Sequence, residues 1–167
     1  MKLGLVINPM AGIGGAVGLK GSDGSDIVAL ALERGAHPHA QERALAALTR
    51  FRHDAPEPVF TAAGAMGQAV LDQAGIGNEV VYTPVNAVTN AADTRNAVAA
   101  LCEHAIDLLL FAGGDGTARD VLNALRQRGA EERLTVVGIP AGCKIHSAVS
   151  AVSPIEAGEL VSGVIKG

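Results

Sequence analysis

Short apolar runs alternate with segments of helical period along the whole chain. "KLGLVIN" (Lys2–Asn8) opens it as a buried parallel strand. Further strands are predicted at 57–64 ("EPVFTAAG", weak), 79–83 ("EVVYT"), 107–113 ("DLLLFAG", the strongest) and 133–140 ("RLTVVGIP"). Between them lie helical patterns. Ser25–Arg34 forms a short helix, and residues 39–51 a second that puts Leu45, Leu48 and Phe51 on one face. Residues 65–75 form a third, stopped by Gly75. Residues 94–105 turn Val98, Leu101 and Cys102 inward, and 117–129 turn Val121, Leu122 and Leu125 inward before Gly129. A closing helix over 153–163 has Ser153 at the N-cap, Pro154 at the first helical position and Glu156 three residues after the cap. This alternation predicts an α/β, Rossmann-like parallel sheet with helices on both faces.

Ligands of such sheets bind beyond the C-terminal ends of the strands. Three glycine-bearing loops fall there: after Asn8, after Ala112 and after Pro140. The first, residues 9–24, holds six glycines. Neither common phosphate motif is present. GxxxxGK[ST] does not occur, and Val17 stands where GxGxxG needs its third glycine. A phosphate site must be built another way.

"FAGGDGTARDV" (Phe111–Val121) offers one. Gly113, Gly114 and Gly116 leave backbone N–H groups bare where a strand meets a helix expected from Ala118, and that combination favours an anion. Asp115 reads equally as a βα-turn residue or as a reacting group. Thr117 and Asp120 have capping-box spacing and read first as helix caps. Asp93 reads first as a dipole-favoured residue at a helix start. Lys20, Arg119 and Lys144 are the candidate cations, with Arg119 reading first as an exposed first-turn residue. Lys20 and Asp23 are ligand contacts or solvent-facing loop charges. His146 and Lys144 share a loop at the ligand end of the sheet.

The chain of 167 residues is long enough for one domain with a real core, and 49% of it is hydrophobic. A net charge of -4 with scattered Lys and Arg argues against a nucleic-acid surface. No leader pattern and no bilayer-length apolar run is present, so no membrane partner is expected. Two cysteines without metal spacing suggest a reducing, cytoplasmic setting.

"NPMAG", "FAGGDGTARDV" and "GIPAGCKIHSAV" together resemble the ATP-dependent NAD kinases. "GLKGSDG" (Gly18–Gly24), "DTRNA" (Asp93–Ala97) and "GIPAGCKIHSAV" (Gly138–Val149) resemble, more narrowly, the ATP- or polyphosphate-dependent NAD kinase branch. The GGDGT element is shared with diacylglycerol-type lipid kinases and phosphofructokinases and selects no substrate. The resemblance implies ATP or polyphosphate as donor, NAD as acceptor, and Mg²⁺. It implies that Asp115 orients or deprotonates the ribose 2′-hydroxyl of NAD, or helps hold the metal. Gly113, Gly114, Gly116 and Thr117 would receive donor phosphates, and Asn8, Pro9 and Gly12 would shape the adjoining wall. Lys20, Asp23, Gly142, Lys144 and His146 would complete the nucleotide contacts, and Asp93 and Arg95 would have at most a secondary substrate role.

Family members carry a second, β-rich domain after this region, with an Asn-Glu pair in the NAD site. The present chain stops at Gly167, and its Asn78–Glu79 pair lies before a strand of the first domain, so that role is not carried over. The expectation is a single domain, 1–167, lacking the β-rich one and with half of the NAD pocket absent. Apolar surface freed in this way would favour a homo-oligomer. Two other readings stay open: a lipid or small-alcohol kinase using the same Asp115 chemistry, and a nucleotide-binding or assembly module without catalysis.

Overall fold

A computed structural model of the protein describes residues 1–13, 25–142 and 145–167. Its elements run β1 (Leu3–Ile7), α1 (Ser25–Glu33), α2 (Ala40–Leu48), β2 (Val59–Ala62), a 3₁₀ turn at Gly64–Met66, and α3 (Gln68–Ala74). They continue with β3 (Asn78–Tyr82), α4 (Ala91–Glu103), β4 (Leu108–Gly113), α5 (Asp115–Gln127), β5 (Thr135–Pro140) and α6 (Pro154–Lys166). The five strands form one sheet in the order β3-β2-β1-β4-β5, and every pairing is parallel. This is the Rossmann-like α/β architecture that the alternation predicts.

The two central strands explain why the sheet is sandwiched. Every residue of β1 and of β4 is buried. Because side chains alternate across a strand, Leu3, Leu5, Ile7, Leu108, Leu110 and Ala112 face one side. There they meet α2, α3 and α6 through Ala44, Leu48, Leu71, Ala157 and Val161. Val6, Leu109 and Phe111 face the other side and meet α4 and α5 through Val98, Leu101, Val121 and Leu125. Each fully buried side chain of this size is worth about 1.5–3 kcal/mol of transfer free energy. A smaller cluster of Ile13, Ala31 and Ala36 seats α1.

Helix ends follow local chemistry. Ser153 accepts the N–H of Glu156 at 3.1 Å with Pro154 in the first turn of α6, as expected from the sequence. Gly75 closes α3 in the left-handed region at φ 72°. Helix α4 begins three residues before the expected Thr94, because Asn90 and Asp93 form a reciprocal capping box. Phe51 is buried as expected but lies in the turns beyond α2. Asn78 and Glu79 belong to β3 itself rather than to the approach to it.

Two expectations about α5 are corrected. The helix starts at Asp115, with Gly114 as N-cap, not at Ala118. Thr117 is therefore inside the first turn and cannot be its cap, while Asp120 pairs with Arg95 at 2.8 Å. Leu122 is 38% exposed, because the buried stripe runs through Thr117, Val121, Ala124 and Leu125, an i, i+4, i+7, i+8 pattern that leaves Leu122 on its rim.

The segment after β5 covers the outer edge of that strand. Gly138 donates its N–H to the Val149 carbonyl at 2.8 Å and accepts the Ala151 N–H at 3.0 Å. Between them the Ser150 hydroxyl is buried with no hydrogen-bond partner among the described residues. An unpaired buried hydroxyl costs stability. Ser150→Ala is thus expected to leave the protein as stable as before or up to about 1 kcal/mol more stable, read as the urea midpoint. A loss of stability would show that the hydroxyl has a partner in solution.

Candidate active site at the sheet switch point

The strand order places β1 beside β4, while their connections leave on opposite faces: toward α2 from β1 and into α5 from β4. A crevice opens at the C-terminal ends of two such strands. Asn8 and Pro9 follow β1 there, and Gly113, Gly114 and Asp115 end β4 and begin α5.

The three loops meet through short contacts. Asn8 spans two of them: its Nδ2 donates to Thr117 Oγ1 at 3.0 Å, and its Oδ1 accepts the Met10 N–H at 3.2 Å. The Ala141 N–H donates to the Gly113 carbonyl at 3.0 Å. Glycine is required at two of the junctions. Gly12 has φ 73°, and a Cβ there would collide with the Ala141 carbonyl oxygen. A Cβ on Gly113 would overlap the Thr117 side chain. The α-carbons of Gly114 and Gly142 also pass close together, since a Cβ on Gly142 would lie 3.1 Å from the Gly114 Cα.

Asp115 ends up facing the third loop. Its Oδ1 accepts the His146 N–H at 2.9 Å and the Ser147 N–H at 2.9 Å; its Oδ2 accepts the His146 N–H at 3.0 Å. The carboxylate is therefore held by peptide groups, and Oδ2 carries the lighter load. Helix α5 has no side-chain cap on its first turn. Its leading N–H groups have no intrahelical acceptor and add to the positive end of the helix dipole.

Of the residues singled out from sequence, Asn8, Pro9, Gly12, Gly113, Gly114, Asp115, Gly116, Thr117, Gly142 and His146 cluster at this end of the sheet. Thr117 is only 4% exposed, and its hydroxyl is engaged by Asn8. His146 is exposed and contributes its peptide N–H, not its ring, to Asp115. Arg119 is exposed on α5. Arg95 is committed to Asp120 and Asp93 to the Asn90 cap and the Tyr82 hydroxyl at 2.7 Å, a bond that raises the Tyr82 pKa. Lys20, Asp23 and Lys144 lie outside the described residues. The contribution of Ser147 was not anticipated, and no sequence signal could have revealed it, because its donor is a backbone N–H that nearly every residue type has.

A hollow of about 410 Å³, lined by Pro9, Met10, Gln41, Glu42 and Leu45 among others, includes none of the residues that hold Asp115. Among the described residues no group of three or more His, Cys, Asp or Glu side chains could hold a metal. No helix among the described residues is long and apolar enough to cross a membrane.

Fold and crevice together define an α/β protein whose candidate site lies at the switch point of a parallel sheet. The sequence model of the ATP-NAD kinase N-terminal domain matches residues 3–167, so the chain belongs to the ATP-NAD kinase family through that domain. No curated protein and no solved structure matches it.

Proposed function

We propose that the chain is the part of an NAD kinase-type phosphotransferase that carries the reacting carboxylate, moving a terminal phosphoryl group from ATP or polyphosphate to the 2′-hydroxyl of NAD. The observation that carries this reading is the position of Asp115. Its carboxylate stands at the switch point between β1 and β4, beside an uncapped helix start and bare glycines. Family membership supplies the kinase class.

Phosphoryl transfer needs little covalent work from the protein, so catalysis is mostly positioning and charge neutralisation. The N–H groups at the start of α5, with Gly114 and Gly116, would face the donor phosphates. Asn8 fixes the adjoining wall by tying the first loop to Thr117. Asp115 Oδ2, the less engaged oxygen, would accept the hydrogen bond of the ribose 2′-hydroxyl and take its proton as the new P–O bond forms and the terminal phosphorus parts from the donor's bridging oxygen, which leaves on ADP or the shortened polyphosphate. Mg²⁺ carried by the phosphates would offset their charge.

The test is NADP formation from NAD with Mg²⁺ and either ATP or polyphosphate, by the chain alone and with an NAD kinase β-rich domain added in trans. NADP from either mixture is expected. Its absence from both, with NAD and ATP binding lost as well, would contradict the reading.

A further inference from the structure

Asp115 has an unusual allegiance for its place in the helix. It is the first residue of α5, and an acidic side chain in a first turn is ordinarily drawn to the N–H groups of its own helix. Here the first turn has no side-chain cap, yet the carboxylate is turned onto residues 31 and 32 positions further along the chain. All three bonds come from two successive peptide groups and are charge-assisted. Upstream of them the end of β5 lies over the helix start, through the Ala141 bond to the Gly113 carbonyl and the close passage of Gly142 over Gly114.

We propose that the peptide N–H groups of His146 and Ser147 are the positioning element of Asp115. They hold its carboxylate off the N–H groups of the first turn of α5, so that those groups stay open to the phosphate oxygens of a nucleoside polyphosphate. The inference rests on the phosphotransferase reading and deepens it. Without the clamp, the carboxylate is free to swing onto the helix start, where it fills the donors and repels an incoming anion. The loop after β5 thereby keeps the reacting carboxylate and the phosphate cradle apart, two functions that would otherwise compete for one set of donors.

The test is calorimetric titration of the whole chain with pyrophosphate, in a double-mutant cycle. Ser147→Pro deletes one clamping N–H. It is expected to weaken pyrophosphate binding about tenfold, since a unit charge is brought against the anion. Asp115→Ala is expected to bind at least as tightly as the unaltered protein. The double variant Ser147→Pro/Asp115→Ala is expected to return to within about twofold of Asp115→Ala alone, because a clamp with nothing to hold has no effect. Ser147→Pro binding as tightly as the unaltered protein would overturn the proposal, and so would a double variant as weak as Ser147→Pro. Should Ser147→Pro not fold, amide NMR on the unaltered chain decides. Pyrophosphate is expected to move the Gly116 and Thr117 amides and leave those of His146 and Ser147 in place. The reverse pattern would overturn the proposal. No pyrophosphate binding by any form would overturn the phosphotransferase reading and the proposal with it. Normal binding that is indifferent to Ser147→Pro would remove the proposal alone.

Discussion

Replacing Asp115 by asparagine is expected to lower NADP formation by at least about 10²-fold, and by as much as about 10⁴-fold, the range over which a positioned acid–base group contributes. The fold should persist. Asparagine keeps one acceptor oxygen for the His146 and Ser147 peptides, and Asp115 is not part of either large hydrophobic cluster. What is lost is the negative charge and, on the proposed reading, the proton acceptor for the 2′-hydroxyl. The same melting temperature with turnover reduced at least a hundredfold would place Asp115 in the reaction. Turnover within a factor of two of the unaltered protein would remove it from the mechanism, whatever its hydrogen bonds. A fall in melting temperature with proportional loss of activity would instead make the clamp a structural tie.

Replacing Gly113 by alanine is expected to have the largest effect on the architecture of the site. The new methyl would overlap the Cβ, Oγ1 and Cγ2 of Thr117. Thr117 cannot easily yield: it is 4% exposed, lies in the first turn of α5 and is tied to Asn8. Over-packing of this kind costs about 1–3 kcal/mol, and the upper end applies because the obstructing atoms include the stem of a fixed side chain. With about 2–4 °C per kcal/mol for a chain of this size, the melting temperature should fall by roughly 6–12 °C. Either the helix start or the end of β4 must move, so nucleotide binding should weaken as well. A thermal scan showing Gly113→Ala as stable as the unaltered protein would mean that the strand end is looser than the packing around Thr117 indicates.

The sheet was legible in the sequence because its central strands leave no doubt about their period. Leu3–Ile7 and Leu108–Phe111 are continuous apolar runs, and such runs are buried on both faces of a parallel sheet. The closing helix was equally legible, since Ser153, Pro154 and Glu156 make a local signal that needs no tertiary context. The start of α5 was not. Thr117 and Asp120 have the spacing of a cap, but Gly114 takes that position without any side-chain acceptor, and tertiary contacts claim both residues, Asn8 for Thr117 and Arg95 for Asp120. Leu122 was misplaced for a related reason: it neighbours a buried stripe, and one residue of rotation on a helix separates packing from exposure. At the site, the three glycine-bearing loops could be found from composition and from their places after strands. The bonds that fix Asp115 could not, because they come from peptide groups and the pattern of side chains carries no record of them.

The most direct measurement is a structure of the chain with NAD and a magnesium polyphosphate bound. Phosphate oxygens are expected against the N–H groups that open α5, and the ribose 2′-hydroxyl within about 2.6–3.2 Å of the Asp115 carboxylate. A nucleotide seated elsewhere on the sheet, with no phosphate oxygen at the start of α5 and no ligand atom beside Asp115, would contradict this expectation.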